Sequence, residues 1–458
     1  MHGHVYETEF LHDMSGFLAG YYFVLALLNS LAAMWSWRRR RGVALCHIGA
    51  LKCTTTLVWF ALAVLFATLV PIAWSADARW MRWITLPLAL RDMLDGVLGP
   101  VVFSVALVVG FVVYYRWRRF FARPSVAWAI LNLFLLWMGL SLLDPDFKAI
   151  VGKADNIPIV GMVILTGFFT WLGTWRAVRN DTRLAAGRPP EEAEGAEHVL
   201  VWPDLVYIEL ICMVAVTVVL IVWSIQVKAP LEAPANVVQT PNPSKAPWYF
   251  VGLQELLVYF DPWMAGVALP CLIIFGLLAI PYLDKNEQGN GYYTIAQRKF
   301  AYVTFQFGFL LLWLAMILIG TFMRGPNWNF YGLYETWDPH KAQVLNNVNL
   351  SDYFWRELRG VRPPAAAPDA PAMTRAGNVL LRESPGLVLL AIYFFGLPPL
   401  LLATSHRVRG LYRQIGGIRF VILAALLLLM ALVPIKMICR WTFNLKDIIA
   451  IPELLLNL

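Results

Sequence analysis

The sequence is short of charge. Only 14% of its 458 residues are Asp, Glu, Lys or Arg, while 59% are hydrophobic, and the mean hydropathy is +0.61. Soluble globular domains carry about 25% charged residues, so that class is excluded. The formal charge of +8 is not a nucleic-acid footprint, because the basic residues sit in short loops beside apolar runs, where membrane orientation places them. Histidine is scarce. His2, His4, His12, His47, His198, His340 and His406 all fall outside the apolar runs. Gripping a haem iron from two helices takes paired histidines inside spans, so the chain is expected to hold no haem b on its own residues. No Cys-x-x-Cys-His occurs, which argues against covalent c-type haem. Cys46 precedes His47, and Cys53, Cys212, Cys271 and Cys439 lie in or beside apolar runs. Single thiols there act as small hydrophobes. The opening MHGHVYETEFLHDM has no Lys or Arg, so it lacks the basic region of a secretory signal, and the first apolar run is expected to be retained.

What the chain has in abundance is apolar runs of about 20 residues, the length that crosses a hydrocarbon core roughly 30 Å thick. The spans expected are 15–37, 51–74, 96–115, 125–143, 157–177, 204–224, 264–283, 302–322, 385–404 and 417–438. The fold class is therefore an all-α polytopic membrane protein with about ten transmembrane helices. Between the second and third spans, RWMRWITLPLALRDMLDG is too charged to cross and is expected along the interface, anchored by Trp80 and Trp83. Basic clusters follow alternate spans: Arg38 to Arg41; Arg116, Arg118, Arg119 and Arg123; Arg176, Arg179, Arg183 and Arg188; Lys285, Arg298 and Lys299; Arg407, Arg409 and Arg413. With ten spans all five fall on one side, the cytoplasmic one. Both termini, the 225–263 segment and the 323–384 connection then face outward.

The chain divides into a five-span block at 1–178, a polar linker at 179–199, a three-span block at 200–340, an outer linker at 341–384 and a two-span block at 385–458. PPAAAPDAPA in the outer linker reads as flexible. No internal repeat is visible, which weakens an inverted-repeat transporter.

Residues 240–263, TPNPSKAPWYFVGLQELLVYFDPW, carry the clearest chemistry. As a helix after Pro247, the run places Trp248, Gly252, Glu255 and Tyr259 on one face. That face offers ring surface, room for close approach, a carboxylate and a phenol. Oxidising a quinol releases two protons with two electrons, so a proton acceptor is needed beside the head group. Glu255, partly buried, would cycle between protonation states, and Tyr249 would hydrogen-bond a quinol oxygen while its ring packs on the head group. Interfacial Trp and Tyr also occur without any such function, so the spacing alone leaves a plain membrane-surface helix open.

TPNPSKAPWYF, followed by a span ending IPYLD and a basic connector, resembles the C-terminal part of cytochrome b, which in split form is subunit IV of cytochrome bc complexes. The resemblance covers about residues 200–335 and implies a three-helix subunit IV-like core. The family's Pro-Glu-Trp-Tyr quinol-oxidation motif aligns with Ala246–Pro247–Trp248–Tyr249. Trp248 and Tyr249 match, and Asn242–Pro243 resemble the upstream Asn/Asp–Pro. Pro247 stands where the motif has glutamate and cannot accept a proton, so Glu255 is the nearest replacement. KAPWYFVGLQELLVYFDPW and RGPNWNFYG are similar to variants in bacterial bc-type complexes.

The resemblance implies a haem-free membrane subunit of a bacterial quinol–cytochrome c oxidoreductase, in the inner membrane, with Glu255 and Tyr249 as catalytic residues. Quinol contacts would come from Pro247, Trp248, Tyr249, Phe250, Gly252 and Tyr259, and the quinol would be menaquinol or ubiquinol. Haem b, a c-type haem and an iron–sulfur cluster would belong to partners: a cytochrome b N-terminal-type subunit, a c-type cytochrome and a Rieske-type protein, in a dimeric complex embedded in lipid. The alternatives are an ion-translocating subunit, for which Glu209 is the best intramembrane carboxylate, and a purely structural anchor. Arg324–Gly325–Pro326–Asn327–Trp328 would either dock a soluble electron carrier or cap its own helix end.

Overall fold

A computed structural model describes residues 8–38, 44–48, 51–194, 199–226, 234–238, 240–286, 293–341, 347–367, 369–454 and 456–458, with the backbone alone at 8, 44–48 and 51–53. The expectations for Arg39 to Arg41, His2, His4 and His198, and for the side chains of Cys46, His47 and Cys53, lie outside the described residues.

Among the described residues, nine helices are long and apolar enough to cross a membrane, and a bent pair makes ten. In chain order they are α1 (Thr8–Arg38), α2 (Thr55–Trp74), the pair α3 (Leu88–Val97) and α4 (Pro100–Arg116), α5 (Pro124–Ser141) and α6 (Ile157–Ala185). Then come α7 (Val201–Gln226), the short α8 (Trp248–Leu256), α9 (Met264–Leu283), α10 (Lys299–Met323), α11 (Ser384–Thr404) and α12 (Gly417–Phe443). Each expected span falls mainly on one of these helices, but residues 51–54, placed at the start of the second span, form a strand paired with Ala44–Ile48, and residues 96–99, placed at the start of the third, carry the bend between α3 and α4. Proline opens α4, α5 and α6, where its missing N–H costs nothing and its fixed φ suits the first turn.

α3 meets α4 at 87°. The break falls at Leu98–Gly99, just before Pro100 starts the new helix. A membrane interface imposes such a corner on an amphipathic helix that feeds a span. Trp80 and Trp83 are exposed beside it, in the place expected of anchors. The buried side of α3 carries Arg91, which forms an ion pair with Asp144, and Asp144 also accepts from the Phe147 N–H at 2.9 Å.

Three packed regions hold the molecule. The first joins α1, α2 and α5 around Tyr22, Phe66 and Phe147. Tyr334, from the segment after α10, stacks on Phe147 at 5.4 Å and hydrogen-bonds Ser141 at 2.8 Å, so the outer connection sits on the first five spans. The second region is formed by α8, α9, α10 and α12, with Leu445, Ile448 and Ile449 folded back onto it. Lys446 Nζ donates to Leu257 O at 2.9 Å, and Trp263 Nε1 to Asn457 O at 3.1 Å. The third, smaller region seats Ile159 of α6 against Val251 and Ile317. The first five and last two spans therefore pack directly on the central block.

The outer linker differs from the sequence expectation. Residues 350–358 and Ala372–Arg382 are helical, and Arg382 bridges Glu383 at 2.8 Å and Glu453 at 2.9 Å. Pro/Ala content suggested a slack tether, but flanking aromatics and charges pin both its ends. Trp355 Nε1, for example, donates to Arg382 O at 2.9 Å.

Candidate functional site

α8 begins at Trp248 because Pro247 precedes it in an extended conformation that a helix cannot enter. The approach loop is stapled down by Gln254, which accepts from Ala246 N and donates to Ser244 O, both at 2.8 Å. Asn242 reaches across to the turn after α10. Asn327 N donates to Asn242 Oδ1 at 2.6 Å, and Asn242 Nδ2 donates to Asn327 Oδ1 at 3.0 Å. The two motif-like stretches of the sequence are thus physically joined.

The face drawn from helical spacing is divided between two environments. Gly252, Glu255 and Tyr259 turn inward against α10, with Glu255 and Tyr259 both 0% exposed. Trp248, Tyr249 and Phe250 turn outward, at 44%, 49% and 52% exposure. Trp248 and Tyr249 meet edge to face at 5.6 Å, and Tyr249 and Phe250 are 4.7 Å apart. α8 ends at Leu256, so Tyr259 lies past the helix in the following turn.

Glu255 does not stand open to a bound head group. Arg324 donates to both carboxylate oxygens, Nε to Oε2 at 2.9 Å and Nη2 to Oε1 at 2.7 Å. Tyr259 Oη donates to Oε1 at 2.8 Å and Trp328 Nε1 to Oε2 at 3.2 Å. Four donors enclose it. Burial works against the Arg324 charge, but Glu255 beside it outweighs that cost and holds the guanidinium above its ordinary value. Burial and the neighbouring carboxylate push the Tyr259 phenol well up. The RGPNW turn closes on itself, with Arg324 Nη1 donating to Trp328 O at 3.0 Å, and the end of α10 is capped from just beyond it by Tyr331 N, which donates to Met323 O at 2.9 Å. Sequence reading paired Glu255 with no cation. The signal was a lone arginine at the end of a span, since a carboxylate buried among apolar residues needs such a partner.

Lys245, passed over in the sequence, occupies the other charged position. Its Nζ donates to Thr321 O at 2.7 Å and sits 4.9 Å over the Trp337 ring. Burial, with Lys153 and Arg324 nearby, pushes its amine down to about 7, although Glu255 pulls the other way.

A groove of about 1000 Å³ opens beside α8. Its walls are α6 and α10. Trp248 and Ile159 line one end, and Tyr293 and Arg298 the other. The wall contributed by α6 belongs to the first five spans, which sequence reading left without a role here. The described histidines His12, His340 and His406 are exposed and share no buried face. Among the described residues, therefore, no two histidines stand as axial ligands to one iron.

No solved structure matches the chain. Residues 234–335 match the family model described as Cytochrome b(C-terminal)/b6/petD. The matched stretch holds the Trp248–Tyr249 turn, Glu255, α9, α10 and Arg324. Residues 234–335 of this multi-pass membrane protein are thus similar to the C-terminal domain of cytochrome b.

Proposed function

We propose that the chain is a membrane subunit of a bacterial quinol–cytochrome c oxidoreductase and forms part of the outer-side quinol-oxidation site. The observation that carries this reading is the exposed Trp248–Tyr249–Phe250 turn at the mouth of a membrane-embedded groove, inside a stretch similar to the C-terminal domain of cytochrome b. Menaquinol or ubiquinol would pack its ring on Trp248 and Phe250, hydrogen-bond to Tyr249 and run its tail into the apolar end of the groove. Pro247 fixes where the turn starts, and Gly252 lets α8 lie against α10. The domain arrangement that goes with this reading is a subunit IV-like core at 200–340 between extensions at 1–178 and 385–458.

The proton acceptor follows from the charges. Glu255 has both carboxylate oxygens engaged by Arg324, Tyr259 and Trp328, so its first role is to hold α8 to the end of α10. Lys245, one turn before Trp248, has a single carbonyl partner and an amine that titrates near neutral pH. It is the better-placed group to receive a quinol proton, which would leave toward the outer water. Electrons would pass to centres in partners: a Rieske-type protein, a haem b subunit and a c-type cytochrome. α7 supports that assembly, since it is apolar beyond Glu209 and none of its residues is buried within the described part of this chain. With both termini outside, the basic connectors of an inner-membrane protein all fall on the cytoplasmic side.

Glu209 is exposed on the surface of α7, not turned into the helix bundle, so the ion-translocation alternative gains nothing from the geometry. The test is quinol-dependent cytochrome c reduction by the assembled complex. Tyr249→Phe removes one hydrogen bond, worth about tenfold in kcat/KM. Lys245→Gln is expected to remove an ionisation near pH 7 from the rate profile. Unchanged turnover in Tyr249→Phe and Trp248→Ala would overturn the site assignment.

A further inference from the structure

We propose that the helix Ala372–Arg382 lies along the interface of the leaflet on the Trp248 side, with Met373, Ala376 and Leu380 sunk among the lipid chains. The inference concerns the outer linker and does not depend on the quinol reading.

The sequence gives this helix two unlike sides. In AMTRAGNVLLR the apolar residues Ala372, Met373, Ala376, Val379 and Leu380 recur at the spacing of one helical face, and Thr374, Arg375, Asn378 and Arg382 recur on the opposite one. A helix on the surface of a soluble protein turns such an apolar stripe into the core. Here no residue of the helix is buried, and Met373 and Leu380 stand 86% and 61% exposed. The helix at the far end of α11 behaves in the ordinary way: His406–Ile415 tucks Ile415 into the protein at 6% exposure.

The polar side is the one the protein holds. Arg382 donates to both carboxylate oxygens of Glu453 at 2.9 Å, and to Ala450 O at 3.2 Å. Trp355 Nε1 donates to Arg382 O at 2.9 Å. A helix fastened in this way cannot roll its apolar stripe inward without giving up those bonds. The stripe therefore needs a cover that the described residues do not supply.

Its place along the chain says what the cover is. α11 begins at Ser384, immediately after Glu383, and its 21 residues reach about 31 Å at ~1.5 Å per residue. That length alone uses up a hydrocarbon core of about 30 Å. Glu383 thus stands at the membrane boundary, and the 11 residues of the preceding helix start from head-group level. An amphipathic helix at that level settles along the surface with its apolar side about 5–10 Å into the boundary between head groups and acyl chains. Pro385, at the start of α11, brings no N–H to bond back across the join and so loosens the two helices from one another. Chain continuity keeps the stripe at this level whether or not another protein is present, so lipid is the occupant.

The full-length chain in lipid nanodiscs would carry an environment-sensitive fluorescent amino acid in place of Met373, Leu380 or, on the polar side, Arg375. Nitroxide lipids labelled near the head group are expected to quench the probes at Met373 and Leu380 roughly threefold more than the probe at Arg375. Lipids labelled at the chain ends should quench all of them less, and aqueous iodide should reverse the order of positions. Met373→Asp with Leu380→Asp puts charge on the stripe. Both side chains are exposed, so the variant should fold, and a probe in place of Ala376 should pass from lipid quenching to iodide quenching. Iodide reaching all three positions in the unaltered chain would put the helix in water and overturn the assignment. Probes at Met373 and Leu380 that escape both quenchers would overturn it too, since a protein surface would then be the cover.

Discussion

Glu255 and Arg324 form a charge pair with 0% and 6% of their side chains exposed. Removing one partner from such a pair strands the other charge in a dry interior. Glu255→Ala is therefore expected to cost about 3–5 kcal/mol, read as loss of folded chain on heating in detergent, whereas Glu255→Leu with Arg324→Met should recover most of it. A Glu255→Ala melt matching the parent would show that the pair holds nothing. Asp95 gives a pH-dependent counterpart. It accepts from Tyr334 N at 3.2 Å, and burial lifts its carboxyl from 3.8 to about 6. The folded chain binds that proton more tightly than the unfolded chain, so the contribution is full below pH 3.8 and is lost as pH rises through 6. Asp95→Asn keeps an acceptor and should gain stability over the parent between those limits; a constant difference across them would refute the linkage. At this scale the sequence was legible for the start of α8 after Pro247, but not for the shared face, since Trp248 turns outward while Tyr259 turns inward. It was not legible for Glu255, because Arg324 lies 69 residues away and only the packing of α8 on α10 brings them together.

Helix α8 is short, and it holds its position by approaching α10 closely. A Cβ on Gly252 would meet Ile317 Cγ1 at 3.2 Å, and one on Gly320 would meet Val251 Cγ1 at 3.1 Å and Val251 O at 3.2 Å. The two glycines lie on opposite sides of one seam. Gly320→Val should separate the helices and cost about 1–3 kcal/mol, with Tyr249 fluorescence or labelling reporting the displaced turn. An undisturbed turn would mean that the seam tolerates bulk. The elements themselves were readable: runs of about 20 apolar residues have few alternatives, and a helix lies under the greater part of every expected span, with only the starts of the second and third set too early. The corner between α3 and α4 was also legible, since charge in 79–96 forbids crossing. The helices of the outer linker were not, because Pro and Ala dominate the composition while contacts such as Trp355 to Arg382 decide the structure.

In the whole molecule, the first five and last two spans pack against the central block. Leu445, Ile448 and Ile449, beyond α12, share one packed region with Tyr259 and Met264, and Tyr334 from the central block is seated among α1, α2 and α5. Block boundaries read from linkers therefore mark changes in composition more than independent units. α7 is the exception, strongly apolar and with none of its residues buried. Its hydrophobicity lets it insert without help, yet among the described residues no buried face fixes its angle or rotation. A newly made copy thus reaches the bilayer with one rod unmoored, and that rod is the segment immediately upstream of the Trp248 turn. Maturation would then wait on recruitment: a copy that finds no companion keeps this mast adrift, visible to the proteases that clear orphaned membrane proteins.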